Sequence, residues 1–223
     1  MAACGIAGLM VTASCASTPG THTPARSLSE SDLSASLLGA DDIDAVMATT
    51  HMAAHEPVTH MSDDRNLLPN LDCLGVWQVD EAAVYDPSGW QSVRQQMFRD
   101  PDRDSWNSIA VQSVVLYRNA EEARRFVVQS ADRWARCTDH RVNIRLNDKP
   151  LPSWRSGNLA RTDTELTMPY LRGSGTPMWS CEHALAVADN AVLDVAACKP
   201  HQTADLTAAG DIVHRLEANL PAR

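Results

Sequence analysis

The run from Cys181 to Cys198 is bisected by Asp189-Asn190, and that symmetry leaves it few ways to fold. Both residues of the dipeptide tolerate the backbone of a tight hairpin turn, and the halves on either side are β-compatible. A turn there sets Ala188 against Ala191, Val187 against Val192 and Cys181 against Cys198. Opposed pairs alternate between hydrogen-bonded and non-hydrogen-bonded sites, beginning hydrogen-bonded beside the turn. Counted outward, the two cysteines fall on a non-hydrogen-bonded pair, the closer kind, within reach of a disulfide. Such a bond forms and persists in an oxidising compartment.

The N-terminus points the same way. Residues 2–12 are an apolar run too short to span a bilayer, and Val11-Thr12-Ala13-Ser14-Cys15 closes it with small residues and a cysteine. That ending resembles the bacterial lipobox, in which the cysteine receives a lipid and becomes the mature N-terminus. Thr12 stands where Leu is usual, and no Lys or Arg precedes the run. The expected organisation is a signal peptide over 1–15 with Cys15 as the lipidation site, a flexible tether over 16–32 rich in Thr, Ser, Pro and Ala, and a folded domain over 33–220. Setting aside Cys4 and Cys15 leaves Cys73, Cys137, Cys181 and Cys198, an even number in an exported domain. With the last two joined, a Cys73–Cys137 bond follows by elimination. A zinc site built from these four would want a C-x-x-C spacing, which the sequence lacks.

A chain of 223 residues suits one domain plus a tail. Its formal net charge of −9 lacks the basic footprint of a nucleic-acid binder or of a polybasic lipid contact. Trp (6) outnumbers Tyr (3) and Phe (2), which suggests large rings held at defined packing positions.

Apolar spacing with Asp41 and Asp42 early predicts a helix over 40–49, and a short helix is expected over 80–85, before the turn Asp86-Pro87-Ser88-Gly89. Residues 51–72 read as a polar connection. Alternation predicts strands over 90–98 and 108–117, the second with Ile109, Val111, Val115 and Tyr117 on one face. Asn119 with Glu122 forms a capping box for a helix running to Cys137. Val142, Ile144 and Leu146 alternate as a strand, with further strands over 154–160 and 165–168, and a closing helix over 203–219 carries Leu206, Ile212, Val213 and Leu216. Strands and helices joined through hairpins point to an α+β domain, a central antiparallel sheet flanked by helices.

An ordered set of residues carries a resemblance to a known family. Leu38-Gly39-Ala40-Asp41 with Val46-Met47, Cys73-Leu74-Gly75-Val76-Trp77, Ala82-Ala83-Val84-Tyr85, Ser88-Gly89-Trp90 and Val115-Leu116-Tyr117 come first. Ala120, Ala123, Trp134 through Cys137, and Trp179-Ser180-Cys181 through Cys198 follow in order. Together they resemble the PknH-like extracellular sensor domain over about residues 33–218. The resemblance implies a sheet-and-helix domain with two disulfides and a ligand cleft. The chain carries no kinase motif, and so it looks like the stand-alone lipoprotein form of that family.

Candidate chemistry is sparse. His51-x-x-x-His55 with His60 nearby has no Glu between the histidines, and so is not a metalloprotease motif. Asp100, Asp102 and Asp104 imitate a calcium loop, but Ser105 stands where Gly belongs and Val111 where the bidentate Glu belongs. No G-x-S-x-G elbow, phosphate loop or dinucleotide fingerprint is present. Trp77, Tyr85, Trp90, Arg94, Gln96 and Tyr117 are the candidate lining of a cleft, Arg94 and Gln96 sharing a strand face with Trp90. The expected function is non-catalytic: an extracytoplasmic sensor, lipid-anchored to the membrane, that binds an unidentified small ligand or protein of the cell envelope. No cofactor or metal is expected. An envelope hydrolase acting on lipid or glycan, or a scaffold whose cleft is degenerate, are the alternatives.

Overall fold

The computed structural model describes residues 27–221 apart from 68–69, 143–144, 147–148 and 174. Cys4, Cys15, the expected signal peptide, the tether up to residue 26, and Ile144 lie outside the described residues.

The chain opens with helices α1 (Glu30–Ser36) and α2 (Ala40–Met47), then a short edge strand β1 (Ala53–Ala54). Helices α3 (Leu71–Trp77) and α4 (Ala82–Tyr85) precede the long hairpin β2 (Ser92–Asp100) and β3 (Ser108–Leu116). Helix α5 (Ala120–Ala135) leads into short strands: β4 (Arg141–Val142), the separate pair β5 (Arg145–Leu146) and β6 (Lys149–Pro150), β7 (Trp154–Ser156) and β8 (Ala160–Arg161). Strands β9 (Glu165–Arg172), β10 (Trp179–Ala188) and β11 (Ala191–Pro200) then precede α6 (Ala208–Asn219).

The main sheet runs β1-β2-β3-β11-β10-β9-β7-β4, with β8 beside β9. All its pairings are antiparallel. Because side chains alternate across a strand, each face takes every second residue. One face sends Phe98, Val114, Leu193 and Val195 against Leu33 of α1, Ile43 and Met47 of α2, and Ile212 and Leu216 of α6. The other sends Val93, Val115, Leu185 and Val192 against Trp77 of α3, Tyr85 of α4, and Phe126 and Trp134 of α5. The sheet is thus the middle layer of three.

The β10–β11 hairpin has the register read from the sequence: Ala188 faces Ala191 and Cys181 faces Cys198. Asp189 takes φ +53, the left-handed conformation the turn requires. Both disulfides are present. Cys181–Cys198 links neighbouring strands with a Cα–Cα distance of 4.0 Å, and Cys73–Cys137 ties α3 to the end of α5 at 5.5 Å. Asn119 caps α5, its Oδ1 accepting from the Glu122 amide at 2.9 Å.

Several boundaries differ from expectation, each for a local reason. The folded domain reaches back to Leu28, within the expected tether. The Leu28 amide donates to Asn190 Oδ1 at 2.8 Å, and Asn190 Nδ2 donates to the Leu28 carbonyl at 3.0 Å. Gln112 grips Leu38 in the same way, at 3.1 and 2.8 Å. Two buried amides therefore fasten the N-terminal segment to the sheet. Helix α3 begins inside the expected connection, where Asn70 Oδ1 accepts from the Asp72 amide at 3.1 Å as its N-cap. Strand β9 continues past the expected end at 168 to Arg172, and the closing helix starts at Ala208, with Leu206 buried in the preceding loop.

Candidate functional site

Strands β10 and β11 and the segment between α3 and α4 meet at a buried polar cluster. His183 Nδ1 lies 2.7 Å from the Val76 carbonyl, so that nitrogen donates, and Nε2 lies 2.5 Å from Asp194 Oδ1. Asp194 Oδ2 accepts from the Asp80 amide at 3.0 Å and from the Tyr85 hydroxyl at 2.7 Å. Asp80 sits at φ +46, a backbone region unfavourable for most residues, held there by that amide bond. Its Oδ1 accepts from Gln95 Nε2 at 3.0 Å. Burial first, and the Asp194 carboxylate second, push the Asp80 carboxyl up to about 8. Burial also raises Glu81, whose carboxylate receives the Asp64 amide at 2.9 Å. Both imidazole nitrogens of His183 are engaged and the side chain is 1% exposed, so this is a strut and offers no free base.

What the strut holds is the wall of a cavity of about 380 Å³. Trp77, Gln78 and Val79, at the end of α3, form that wall. Its floor is the sheet: Gln95 and Met97 of β2, Ile109 and Val111 of β3, and Ala196 and Cys198 of β11. Tyr170 and Arg172 of β9 and Trp154 of β7 close the far side, with Trp106 from the β2–β3 loop above.

Arg172 is the one charged residue of this lining among the described residues. It faces Trp154 on β7 and Trp179 on β10, its direct cross-strand partners on either side. Its guanidinium carbon lies 4.7 Å from the Trp106 ring centre, 5.7 Å from Trp179 and 5.8 Å from Trp154. These are cation–π distances. Burial lowers its titration from the ordinary arginine range, yet a guanidinium stays charged. Among the described residues, the Arg172 Nε is buried without a hydrogen-bond partner, as is Trp77 Nε1. Trp154 stacks on Tyr170 with ring centres 5.3 Å apart, and Trp77 meets Trp154 edge-on at 5.9 Å.

Of the residues expected to line a cleft, Trp77 does so. Tyr85 is buried in the strut, stacked on Phe126 at 4.1 Å. Tyr117 is buried nearby, its hydroxyl 2.8 Å from Ser88 Oγ. Trp90 packs at the edge of the same core, its Nε1 3.4 Å from Asp86 Oδ1. Arg94 and Gln96 are not brought to the cavity. They stand on the opposite sheet face, where Arg94 Nε donates to Ser34 Oγ at 3.1 Å and Gln96 Nε2 to the His55 carbonyl at 2.9 Å. A period of two explains the swap, since Gln95 between them is the cavity residue. The His51–His55 segment holds an edge strand where a helical pair of ligands would need a helix, and His55 Nε2 lies 2.8 Å from Asp102 Oδ1. The sequence-derived lining lacks Arg172, Trp106 and Trp154, which line the cavity, and Trp179, which packs on Arg172. Their signal was the excess of Trp: Trp77, Trp106, Trp154 and Trp179 are four of the chain's six.

A hollow kept open by a buried strut, in a fold closed by two disulfides, suits a sensor-like domain held outside the cytoplasm. The chain belongs to the PknH-like extracellular domain family, whose model matches residues 28–219. It is 29% identical over 175 residues to the serine/threonine-protein kinase PknH of Mycobacterium tuberculosis, covering 78% of this chain and 28% of the kinase. To the same kinase of Mycobacterium bovis it is 29% identical over 183 residues, covering 82% of this chain and 30% of the kinase. The chain therefore spans under a third of these relatives. The crystal structure of the extracellular domain of PknH from Mycobacterium tuberculosis superposes with a TM-score of 0.78 at 28% identity, over 87% of this chain and 97% of that one. The chain is an extracellular sensor-like domain. No helix among the described residues is long and apolar enough to cross a membrane.

Proposed function

We propose that this chain is a non-catalytic, lipid-anchored sensor of the cell envelope that binds a small envelope ligand in the cavity between Trp77 and Arg172. The observation that carries the reading is the cavity itself. It has aromatic and aliphatic walls, a few polar groups, and a volume of about 380 Å³, within the range of small-molecule sites. The kinship with a kinase's extracellular domain supports a sensing role, and the lipobox-like residues ending at Cys15 support the anchor. The engagement of both His183 nitrogens argues against a hydrolase centred there. A cleft left open argues against a purely scaffolding role.

Thermal unfolding of the purified domain in the presence of an envelope extract tests the binding. The expected result is a raised melting temperature for wild type and none for Val111→Trp, which fills the cavity floor. Shifts of equal size in both proteins would place binding elsewhere. For the anchor, Cys15→Ala should move the protein from the membrane to the soluble fraction, and an unchanged distribution would remove lipidation from the account.

A further inference from the structure

Arg172 is a half-buried cation whose Nε is buried without a hydrogen-bond partner among the described residues. A cation drawn out of water is costly unless it is paired and hydrogen-bonded. Among the described residues Arg172 has no ion pair and no hydrogen bond from its guanidinium. Its neighbours are the rings of Trp106, Trp154 and Trp179. Indole faces attract the charge but accept no N–H in the plane of the fork. The rest of the lining adds no acid: Gln78, Gln95 and Ser62 are neutral, and the other groups are aromatic or aliphatic. The Asp80 carboxyl, behind Gln95, is pushed up to about 8 and so holds its proton at neutral pH. A chain with a formal net charge of −9 thus presents a cavity whose one charge is positive.

We infer that the cavity takes an amphiphilic anion, a carboxylate or phosphate head on an apolar body, with the head against Arg172 and the body over Met97, Ile109 and Val111. This rests on the cavity being a ligand site. A planar guanidinium held by three rings is oriented in advance, so its fork meets a carboxylate or phosphate with little further loss of freedom. The apolar floor then contributes through area removed from water. The assignment is to one shared chemistry, whether the amphiphile is a phosphate-headed lipid or a fatty acid.

Titration calorimetry, with tryptophan emission as a second readout, separates these sources and separates this inference from the reading beneath it. The probes are octyl phosphate, octanoate, octyl glucoside, octyltrimethylammonium and inorganic phosphate. The expected result is that octyl phosphate or octanoate binds at least about tenfold more tightly than octyl glucoside, and octyltrimethylammonium more weakly still. Arg172→Gln should lose about tenfold in affinity for the anions and leave octyl glucoside within about twofold. Arg172→Lys, which keeps the charge without the fork, should fall between them and guards against a folding defect in the first variant. Equal affinity for all four octyl probes would overturn the selection by charge while leaving a binding cavity. Equal affinity for inorganic phosphate and octyl phosphate would overturn the apolar body. Absence of binding by every probe would overturn both the inference and the site.

Discussion

His183 Nε2 lies 2.5 Å from Asp194 Oδ1, across a diagonal of the β10–β11 hairpin, since the direct partners of the two residues are Ala196 and Leu185. Because Asp194 Oδ2 also receives the Asp80 amide and the Tyr85 hydroxyl, one carboxyl group fastens the hairpin to the segment that walls the cavity. Asp194→Ala should therefore destabilise the domain by about 3–5 kcal/mol, since it strands buried partners. Tyr85→Phe removes a single bond and should cost about 1–2 kcal/mol. Urea unfolding of the two variants and their double would show coupling between them. Additive effects would mean that the cluster does not act as a unit.

Buried acids give the domain an unusual pH profile. Asp80 is pushed up to about 8, Glu182 to about 7, and Glu81 is raised as well, in each case chiefly by burial. A carboxyl with a folded value above its unfolded one binds its proton more tightly when folded. Its contribution is complete below the unfolded value near 4 and is lost as pH rises through 7 to 8. Stability should thus fall between about pH 5 and pH 8.5, by an amount on the order of 2–4 kcal/mol for the set. Asp80→Asn should flatten the profile and raise stability at the alkaline end. Urea midpoints at the two pH values read this directly, and a midpoint rising with pH would contradict it.

The disulfides should contribute unequally. Cys73–Cys137 closes a separation of 64 residues and Cys181–Cys198 one of 17. Chain-entropy reasoning gives about 4 kcal/mol for the first and about 3 kcal/mol for the second. Calorimetry of Cys73→Ser/Cys137→Ser and Cys181→Ser/Cys198→Ser double variants should show the larger loss in the first. A wild type whose melting temperature ignores reductant would indicate that neither bond contributes.

Asn190 does more than turn the hairpin. Its side chain bonds both backbone groups of Leu28 and also donates to the Tyr117 carbonyl at 2.9 Å. Asn190→Ala should cost about 1–3 kcal/mol and speed amide exchange across α1. Unchanged exchange at Leu28 and Leu33 would show that the segment is held by packing alone.

Much of this was legible before the structure. The cystine hairpin, α5 with its Asn119 cap and the shared face of Ile109, Val111 and Val115 are local signals and stand as read, while the strand expected over 90–98 forms two residues later, at Ser92–Asp100. The cavity was not legible, because it is assembled from five strands, one helix end and two loops distant in sequence. Trp77 was recognised as a cleft residue. Arg94 and Gln96 were placed on the cleft side by alternation from Trp90, but Trp90 precedes β2 and does not set its parity. Arg172 lay beyond Pro169, a residue that reads as the end of a strand because it cannot donate to the ladder. In the fold β9 carries on through it, with Pro169 opposite Glu182 and its carbonyl accepting the Gly157 amide at 2.7 Å. The strut was hidden for a different reason: His183 and Asp194 each look like polar interruptions of an apolar hairpin until the α3–α4 segment arrives to use them.

On the proposed function, the tryptophan-walled cavity is occupied by an envelope ligand. Native mass spectrometry of the whole chain produced in a mycobacterial host, purified gently and compared with Val111→Trp, tests this occupancy. The expected result is a co-purifying mass on the wild type that is lost from the variant. A wild type that carries no added mass, or a mass retained equally by the filled cavity, would contradict it.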